Sequence, residues 1–312
     1  MRHKQHKLCW VFSLLILVTS FAYAQQEIIL TKYTYNALLF NPAYAGSHGF
    51  GGGTAILQYR NQWLGLKGAP TTILAAAESS FADDRIGLGF TVGRESVGID
   101  TRNDLSINYA YQMELGKGHL CVGFRTSWSQ YLSNFSGLVN VDINDPVYAQ
   151  PEVTISLFAV GAGMYYNTRN AYVGIAIPAV KVVESTSNGT FGSRHIYFHT
   201  GMMMGDENAT INVEPSVLMA YQKAAPIQMT LGLNVWYDQK YAIGAYIRSQ
   251  DAFALSTEVF LQEHYRFSLA YDFTISDLQK YSNGTVELMM AYHFYTKPEI
   301  KRIKNIRYGG RF

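Results

Sequence analysis

The stretch YRFSLAYDFTI, residues 265–275, places an apolar or aromatic side chain at every second position. Small or polar residues stand between them, including Arg266 and Asp272. Successive side chains of a β-strand point to opposite faces, whereas an amphipathic helix needs apolar residues three and four positions apart. The stretch therefore predicts a strand with one apolar face and one polar face.

The same alternation recurs along the chain, for example in residues 105–115 and 227–237. It predicts about fourteen strands, an even number, as is usual in single-chain bacterial membrane barrels. The predicted strands lie near residues 52–62, 70–81, 85–96, 101–115, 119–132, 153–167, 170–177, 194–205, 209–222, 226–237, 240–249, 252–261, 264–275 and 284–296. Aromatic residues near strand ends are typical of an interfacial girdle, and they are Trp128, Tyr237, Tyr265, Phe273, Tyr292 and Phe294.

The composition favours a barrel in a membrane over a soluble β-sandwich with one apolar face. Charged residues make up 15% of the chain, whereas a soluble domain usually carries about 25%. No segment after the first 24 residues has the run of about 18 apolar residues that a transmembrane helix requires. We therefore predict an all-β fold, a transmembrane antiparallel β-barrel of about 14 strands.

The first 24 residues predict export. A basic start is followed by an apolar core at residues 8–22, and Ala22-Tyr23-Ala24 forms a small-x-small cleavage site. This pattern is typical of a secretory signal peptide, and the alternative is a short membrane anchor. Cleavage would remove Cys9 and leave Cys121 as the lone cysteine, so no internal disulfide is expected.

Four parts of the chain are predicted. They are a signal peptide at 1–24, an N-terminal turn segment at 25–47 that is expected to plug the lumen, an outer-membrane barrel at 48–296 and a basic tail at 297–312. Short connections alternate with longer ones such as residues 133–152, 178–193 and 276–283. Since long loops of such barrels are extracellular and short turns periplasmic, we expect both termini in the periplasm of a Gram-negative bacterium.

The predicted strand register turns several charged side chains into the lumen. These are Arg60, Glu114, Arg125, Glu214, Arg248, Glu258, Arg266, Asp272 and Glu287. Buried charges need partners, so we expect neighbouring strands to pair them. A lumen filled by these pairs and the N-terminal segment is one interpretation, and a water-filled porin is the other.

The sequence predicts no catalytic, cofactor-binding or metal site. His195 and His199 share a strand face but would lie about 13 Å apart, too far for one metal ion. Ser268, Asp272 and His293 provide the residue types of a hydrolase triad, but no strained nucleophile turn accompanies them. The glycine run at residues 49–53 precedes a strand and not a helix, which excludes a phosphate loop. A net charge of +2 gives no reason to expect nucleic acid as a partner.

The turn after the signal peptide carries a family resemblance. Its residues are Asn41, Pro42, Ala43, Tyr44, Ala45 and Gly46, followed by Arg60 and Trp63. Together with Pro70-Thr71, Tyr271-Asp272-Phe273 and residues 284–287, this pattern resembles the PorP/SprF family of outer-membrane proteins. That family belongs to the type IX secretion and gliding motility machinery.

The resemblance implies a protein without enzymatic activity that binds, exports or anchors a secreted partner at the cell surface. The implied partners are cargo proteins with a type IX C-terminal domain, including adhesins of gliding cells. Periplasmic lipoproteins or ring components are implied for members that act as core machinery. A passive transporter or porin for small or apolar solutes is the alternative function, and the lumen distinguishes the two, since an apolar solute needs an apolar path.

Overall fold

The structure is a computed structural model and describes residues 29–47, 52–135, 152–184, 194–205, 209–223 and 225–295. Within these ranges, fourteen antiparallel strands form one closed barrel. The strands are β1 Gly52–Asn61, β2 Thr71–Phe81, β3 Ile86–Val97, β4 Asp100–Leu115, β5 Gly118–Asn134, β6 Glu152–Asn167, β7 Ala171–Glu184, β8 His195–Met202, β9 Ile211–Gln222, β10 Gln228–Tyr237, β11 Tyr241–Arg248, β12 Ala252–Leu261, β13 Tyr265–Thr274 and β14 Thr285–Tyr295. The predicted fold class and strand number are confirmed.

Each strand pairs with its neighbours in sequence, and β14 closes the barrel on β1. This closing pair runs the full length of β1, from Gly52 opposite Tyr295 to Asn61 opposite Val286. No edge strand is therefore left at this position, which removes the unpaired backbone groups that a membrane cannot satisfy.

The pleat of the strands separates an apolar outer face from a polar inner face. On β10, Leu231 and Leu233 are 41% and 45% exposed, whereas the flanking inward residues Thr230 and Asn234 are buried. Burial of the inward polar side chains means that other protein atoms, and not open water, fill the space beside them. No helix in the described ranges is long and apolar enough to cross a membrane.

The two ends of the barrel differ in their connections. One end carries residues 62–70, 135–151, 185–194 and 275–284, and we call it the long-loop end. The other carries tight turns at 82–85, 116–117, 168–170, 238–240 and 262–264, and we call it the short-turn end. Several tight turns have positive φ at consecutive residues, such as Asp238 and Gln239, as two-residue hairpin turns require. The longest connections lie at one end, as predicted, but the short connections 98–99 and 249–251 also lie there, and the connection 203–210 at the short-turn end is longer than predicted.

The end of β7 differs from the prediction. The sequence predicts a strand near residues 170–177, followed by a long connection from residue 178. The strand instead continues to Glu184, with a register shift opposite Val160 and Ala162 on β6. A bulge of this kind accommodates proline inside a strand.

Residues 29–47 lie inside the barrel, and we call them the luminal segment. The segment contains two 3-10 turns, η1 Ala37–Leu39 and η2 Pro42–Tyr44. All of its residues except Ile29 and Leu39 are buried. A third short turn, η3 Asp277–Lys280, lies in a connection at the long-loop end. The predicted signal peptide and the basic tail at 297–312 lie outside the described residues.

Candidate functional site

The luminal segment crosses the barrel from the long-loop end to the short-turn end. Near its start, the Thr31 main-chain N–H donates to Glu287 Oε2 at 2.8 Å, and Glu287 is the third residue of β14. Near its end, the Gly46 N–H donates to Glu78 Oε2 at 2.9 Å, and Glu78 lies close to the end of β2. These two contacts fix opposite ends of the segment to opposite ends of the lumen.

The register of β1 gives the length of this crossing. Arg60 stands opposite Glu287 on β14, and Thr54 stands opposite Glu78 on β2. The two β1 residues are six positions apart, which corresponds to about 20 Å along a strand. The segment therefore fills more than half of the length that β1 spans.

The turn that begins at Asn41 owes its shape to two adjacent residues. The Asn41 side-chain oxygen accepts a hydrogen bond from the Ala43 N–H at 3.0 Å. Pro42 occupies the first position of η2, where its fixed φ is suitable and no donor is needed. Asn41 Nδ2 also donates to the Met164 carbonyl oxygen at 3.1 Å. The asparagine thus caps the turn and binds it to β6.

A row of wall glycines receives this turn. The glycine row consists of Gly87, Gly89, Gly123, Gly163 and Gly174. A Cβ atom at Gly123 would collide with the backbone of Pro42 and Ala43, and one at Gly87 with the backbone of Ala45. Glycine at these positions lets the turn backbone approach the strand backbone directly. The row therefore forms a seat shaped for residues 41–46.

Charged side chains surround the start of the luminal segment. This ion cluster consists of Lys32, Arg60, Arg248, Glu258, Arg266, Asp272 and Glu287. At its centre, Arg60 Nη2 donates to Asp272 Oδ2 at 2.8 Å, and Arg60 Nη1 donates to Glu287 Oε2 at 2.9 Å. Arg60 itself is 2% exposed. A buried guanidinium between two carboxylates satisfies the requirement that buried charges be paired.

Lys32 of the luminal segment joins this cluster directly. Its Nζ lies 2.9 Å from Glu258 Oε2 and donates to the Tyr246 hydroxyl at 2.8 Å. The other oxygen of Glu258 accepts from Arg266 Nη1 at 3.0 Å. Arg266 also lies 4.5 Å from the ring centroid of Tyr35, a cation–π contact with the segment. The strands β12 and β13 thus bind the segment through both charge and aromatic contact.

Thr31 connects the segment to the remaining members of the cluster. Its hydroxyl donates to Asp272 Oδ1 at 2.7 Å and accepts from Arg248 Nη2 at 3.2 Å. Arg248 also pairs with Asp251 at 2.9 Å. One threonine therefore contacts residues of β11, β13 and β14.

Arg125 and Glu214 lie inside the lumen but outside the ion cluster. Arg125 donates to Asn108 Oδ1 at 2.7 Å and to the Leu39 carbonyl oxygen at 2.7 Å. It also donates to the carbonyl oxygen of Leu38, so it satisfies carbonyls of η1 that have no partner within so short a turn. Glu214 accepts from the side chains of Asn234 and Trp236 at 3.2 Å and 3.1 Å.

The structure places eight of the nine predicted lumen charges inside the barrel, all of them buried. They are Arg60, Arg125, Glu214, Arg248, Glu258, Arg266, Asp272 and Glu287. The predicted inward residue Glu114 is exposed, because it lies next to the end of β4 at the short-turn end. The pairing itself reaches further than the sequence predicted, since Lys32 and Thr31 of the segment take part as well as neighbouring strands.

The residues that carry the family resemblance do not form one site. Residues 41–46 lie on the glycine row towards the short-turn end, whereas Arg60 lies in the ion cluster at the other end. Trp63 lies beyond β1 in the connection at the long-loop end, where its main-chain N–H donates to the Thr285 hydroxyl at 3.1 Å. The luminal segment is therefore held at two separate places, by the glycine row at residues 41–46 and by Arg60 at Thr31.

The possible hydrolase residues are not brought together. Asp272 stands opposite Thr285, eight residues from His293 along β14, which corresponds to about 26 Å. Asp272 is occupied by Arg60 and Thr31, and His293 lies 3.0 Å from the Thr54 hydroxyl. Within the described ranges, no group of three or more His, Cys, Asp or Glu side chains is arranged to hold a metal ion.

Sequence reasoning missed Lys32, Glu78 and the glycine row. The sequence did carry one signal for the glycines, because Gly87, Gly89 and Gly93 all lie at inward-facing positions of β3. Lys32 carried no strand periodicity, and its partner Glu258 is more than two hundred residues away in sequence.

One cavity of about 10 Å³ lies between the segment and β1–β2, lined by residues that include Tyr35, Tyr44, Ile56 and Glu78. Such a volume suits about one water molecule.

Three solved structures illustrate the likeness of this fold to known proteins. The toluene transporter TbuX of Ralstonia pickettii has a TM-score of 0.49 and 9% identity, covering 83% of this chain and 93% of its own. Omp33 of Acinetobacter baumannii has a TM-score of 0.43 and 9% identity, covering 80% and 99%. Outer membrane phospholipase A of Escherichia coli has a TM-score of 0.37 and 9% identity, covering 77% and 92%.

The sequence itself gives the assignment. No curated protein matches the chain significantly. The family model described as type IX secretion system membrane protein PorP/SprF matches residues 22–292, which include the luminal segment and almost the whole barrel. This outer-membrane β-barrel therefore belongs to the PorP/SprF family of type IX secretion system membrane proteins.

Proposed function

We propose that this barrel is a non-catalytic part of the type IX secretion machinery that binds a secreted partner and exports or anchors it at the cell surface. The observation that carries the proposal is the filled lumen. The chain's own segment crosses it, held by buried ion pairs at one end and by the glycine row towards the other. A barrel built in this way offers its rim and loops, and not its interior, to other molecules.

The orientation follows the connections. We infer that the long-loop end faces the medium and the short-turn end the periplasm, as in other bacterial barrels. The last strand then ends on the periplasmic side, where residue 295 lies. The basic tail at 297–312 would follow there, within reach of periplasmic lipoproteins or ring components.

The expected partner is a secreted protein with a type IX C-terminal domain, and an adhesin of gliding cells is one such cargo. The family supports this choice. The alternative, a passive transporter or porin, needs a continuous path through the barrel. The buried cluster around Arg60 and Lys32 argues against an apolar path in particular, because apolar solutes gain nothing from contact with paired charges.

The test is a gene deletion combined with analysis of secreted and surface proteins. We expect at least one protein with a type IX C-terminal domain to disappear from the surface or medium and to return on complementation. The same protein, or a periplasmic component, should co-purify with the tagged barrel from detergent-solubilised outer membranes. An unchanged secretome together with an empty co-purification would exclude the proposal and leave the transporter function.

A further inference from the structure

The direction of the luminal segment has a consequence for the start of the chain. Thr31 is bound by residues near the long-loop ends of their strands, since Arg248 is the last residue of β11 and Glu287 the third of β14. Asp272 is the third residue from the end of β13. The segment therefore begins at the long-loop end.

From Thr31 the chain runs towards the opposite end. Gly46 is bound between Glu78 and Gln112, whose amide donates to the Gly46 carbonyl oxygen at 2.7 Å. Both partners lie three residues from the short-turn ends of their strands. β1 then starts at that end with Gly52. The polypeptide thus enters the lumen at the long-loop end and leaves it at the short-turn end.

We propose that the amino terminus of the processed chain lies at the cell surface, at the outer mouth of the barrel. The signal peptide is predicted to end at Ala24, so four residues precede Ile29. Four residues span at most about 14 Å even when fully extended. The lumen between the levels of Arg60 and Thr54 is about 20 Å long along the strand, and the segment already occupies it. Four residues are too few to return through it to the periplasm.

The expectation that both termini are periplasmic is thereby replaced. The amino end lies at the cell surface, whereas β14 ends on the periplasmic side. This arrangement rests on the orientation given with the proposed function. The amino end then belongs to the surface that a secreted partner meets, and periplasmic components meet the other end. The arrangement also separates the two partner classes of the family by the side of the membrane on which each can act.

The test uses single cysteines in the full-length chain and a thiol reagent that does not cross the outer membrane. The native Cys121 is fully buried, so it contributes little background. Gln26→Cys reports the amino end, Lys280→Cys the long-loop end and Lys117→Cys the short-turn end, and the latter two positions are exposed. We expect Gln26→Cys and Lys280→Cys to react in intact cells, and Lys117→Cys to react only after the outer membrane has been permeabilised.

The proposal would be overturned if Gln26→Cys, like Lys117→Cys, were labelled only after permeabilisation while Lys280→Cys was labelled in intact cells. If Lys117→Cys reacted in intact cells and Lys280→Cys did not, the orientation would be wrong and with it the surface location of the amino terminus. A second variant carries a cysteine and six Gly/Ser residues inserted between Gln25 and Gln26, which gives a longer reach if position 26 is shielded. The inserted cysteine must be labelled under the same condition as Lys280→Cys. Each variant is also scored for secretion of the partner, so a failure of the proposed function appears in a separate measurement.

Discussion

Arg60 and Asp272 lie 2.8 Å apart in the lumen, and the side chain of each is 2% exposed. The pair joins β1 to β13 and, through the Thr31 hydroxyl, also fixes the start of the luminal segment. One ion pair therefore connects two strands of the barrel and also connects the barrel to the luminal segment. Changes at this position should disturb both.

Replacing Arg60 by methionine should strongly destabilise the barrel. The change leaves the carboxylates of Asp272 and Glu287 buried without the guanidinium between them. Loss of one partner of a buried ion pair typically costs about 3–5 kcal/mol. The measurement is thermal unfolding of the detergent-solubilised barrel, followed by the shift between folded and unfolded bands on a gel.

The matched control for this variant is Asp238→Asn. Asp238 pairs with Lys240 at 3.0 Å, but the two side chains are 56% and 60% exposed. Exposed pairs contribute at most about 1 kcal/mol, so the unfolding temperature should hardly change. Equal effects of Arg60→Met and Asp238→Asn would show that the ion cluster does not stabilise the fold.

Replacing Gly87 by alanine should displace the turn from its seat. The new Cβ would collide with the backbone of Ala45, which has no room to rotate away as a side chain could. Overpacking of this kind typically costs about 1–3 kcal/mol. Gly93→Ala on the same strand is the control, because its Cβ would meet the flexible end of Leu74 at 2.6 Å. Limited proteolysis of the luminal segment should increase for Gly87→Ala and stay unchanged for Gly93→Ala.

Removing the luminal segment should open the barrel. The segment fills the lumen with protein atoms, so a chain that lacks residues 25–47 should conduct ions in planar bilayers more strongly than the complete chain. The deletion variant must first show the folded band on a gel, since it also removes partners of the ion cluster. High and equal conductance of both proteins would contradict the filled lumen and favour a porin.

Cys121 should report the unfolding of the whole barrel. Its side chain is fully buried on β5, so a thiol reagent should modify it slowly below the unfolding temperature and rapidly above it. In the Arg60→Met variant, the labelling of Cys121 should begin at a lower temperature than in the wild-type protein. Rapid modification of the native protein at room temperature would show that the lumen beside β5 is open to solvent.

The sequence sufficed for the number of strands, for most of their bounds and for the inward face of eight of the nine predicted lumen charges. Alternation at every second residue determines the face of Arg266 or Glu287 whatever the rest of the fold does. It carries no information on partners across a lumen, because Lys32 and Glu258 meet only when the barrel has closed. The end of β7 was also missed, because the strand continues past Pro178 through a register shift that depends on its pairing with β6. The position of the luminal segment likewise depends on tertiary contacts of Thr31 and Gly46 that have no local signature.

The closing pair of β1 and β14 also sets an order of assembly. Ten residue pairs join the two strands around a chain segment that enters at one mouth and leaves at the other. Pushing this segment into a finished barrel would require its charged start, with Lys32, to travel the whole narrow interior past Glu78 and the glycine row. The segment should instead be in place while the sheet is still open. The β1–β14 seam is then the last to form, and the barrel closes around its own amino-terminal residues.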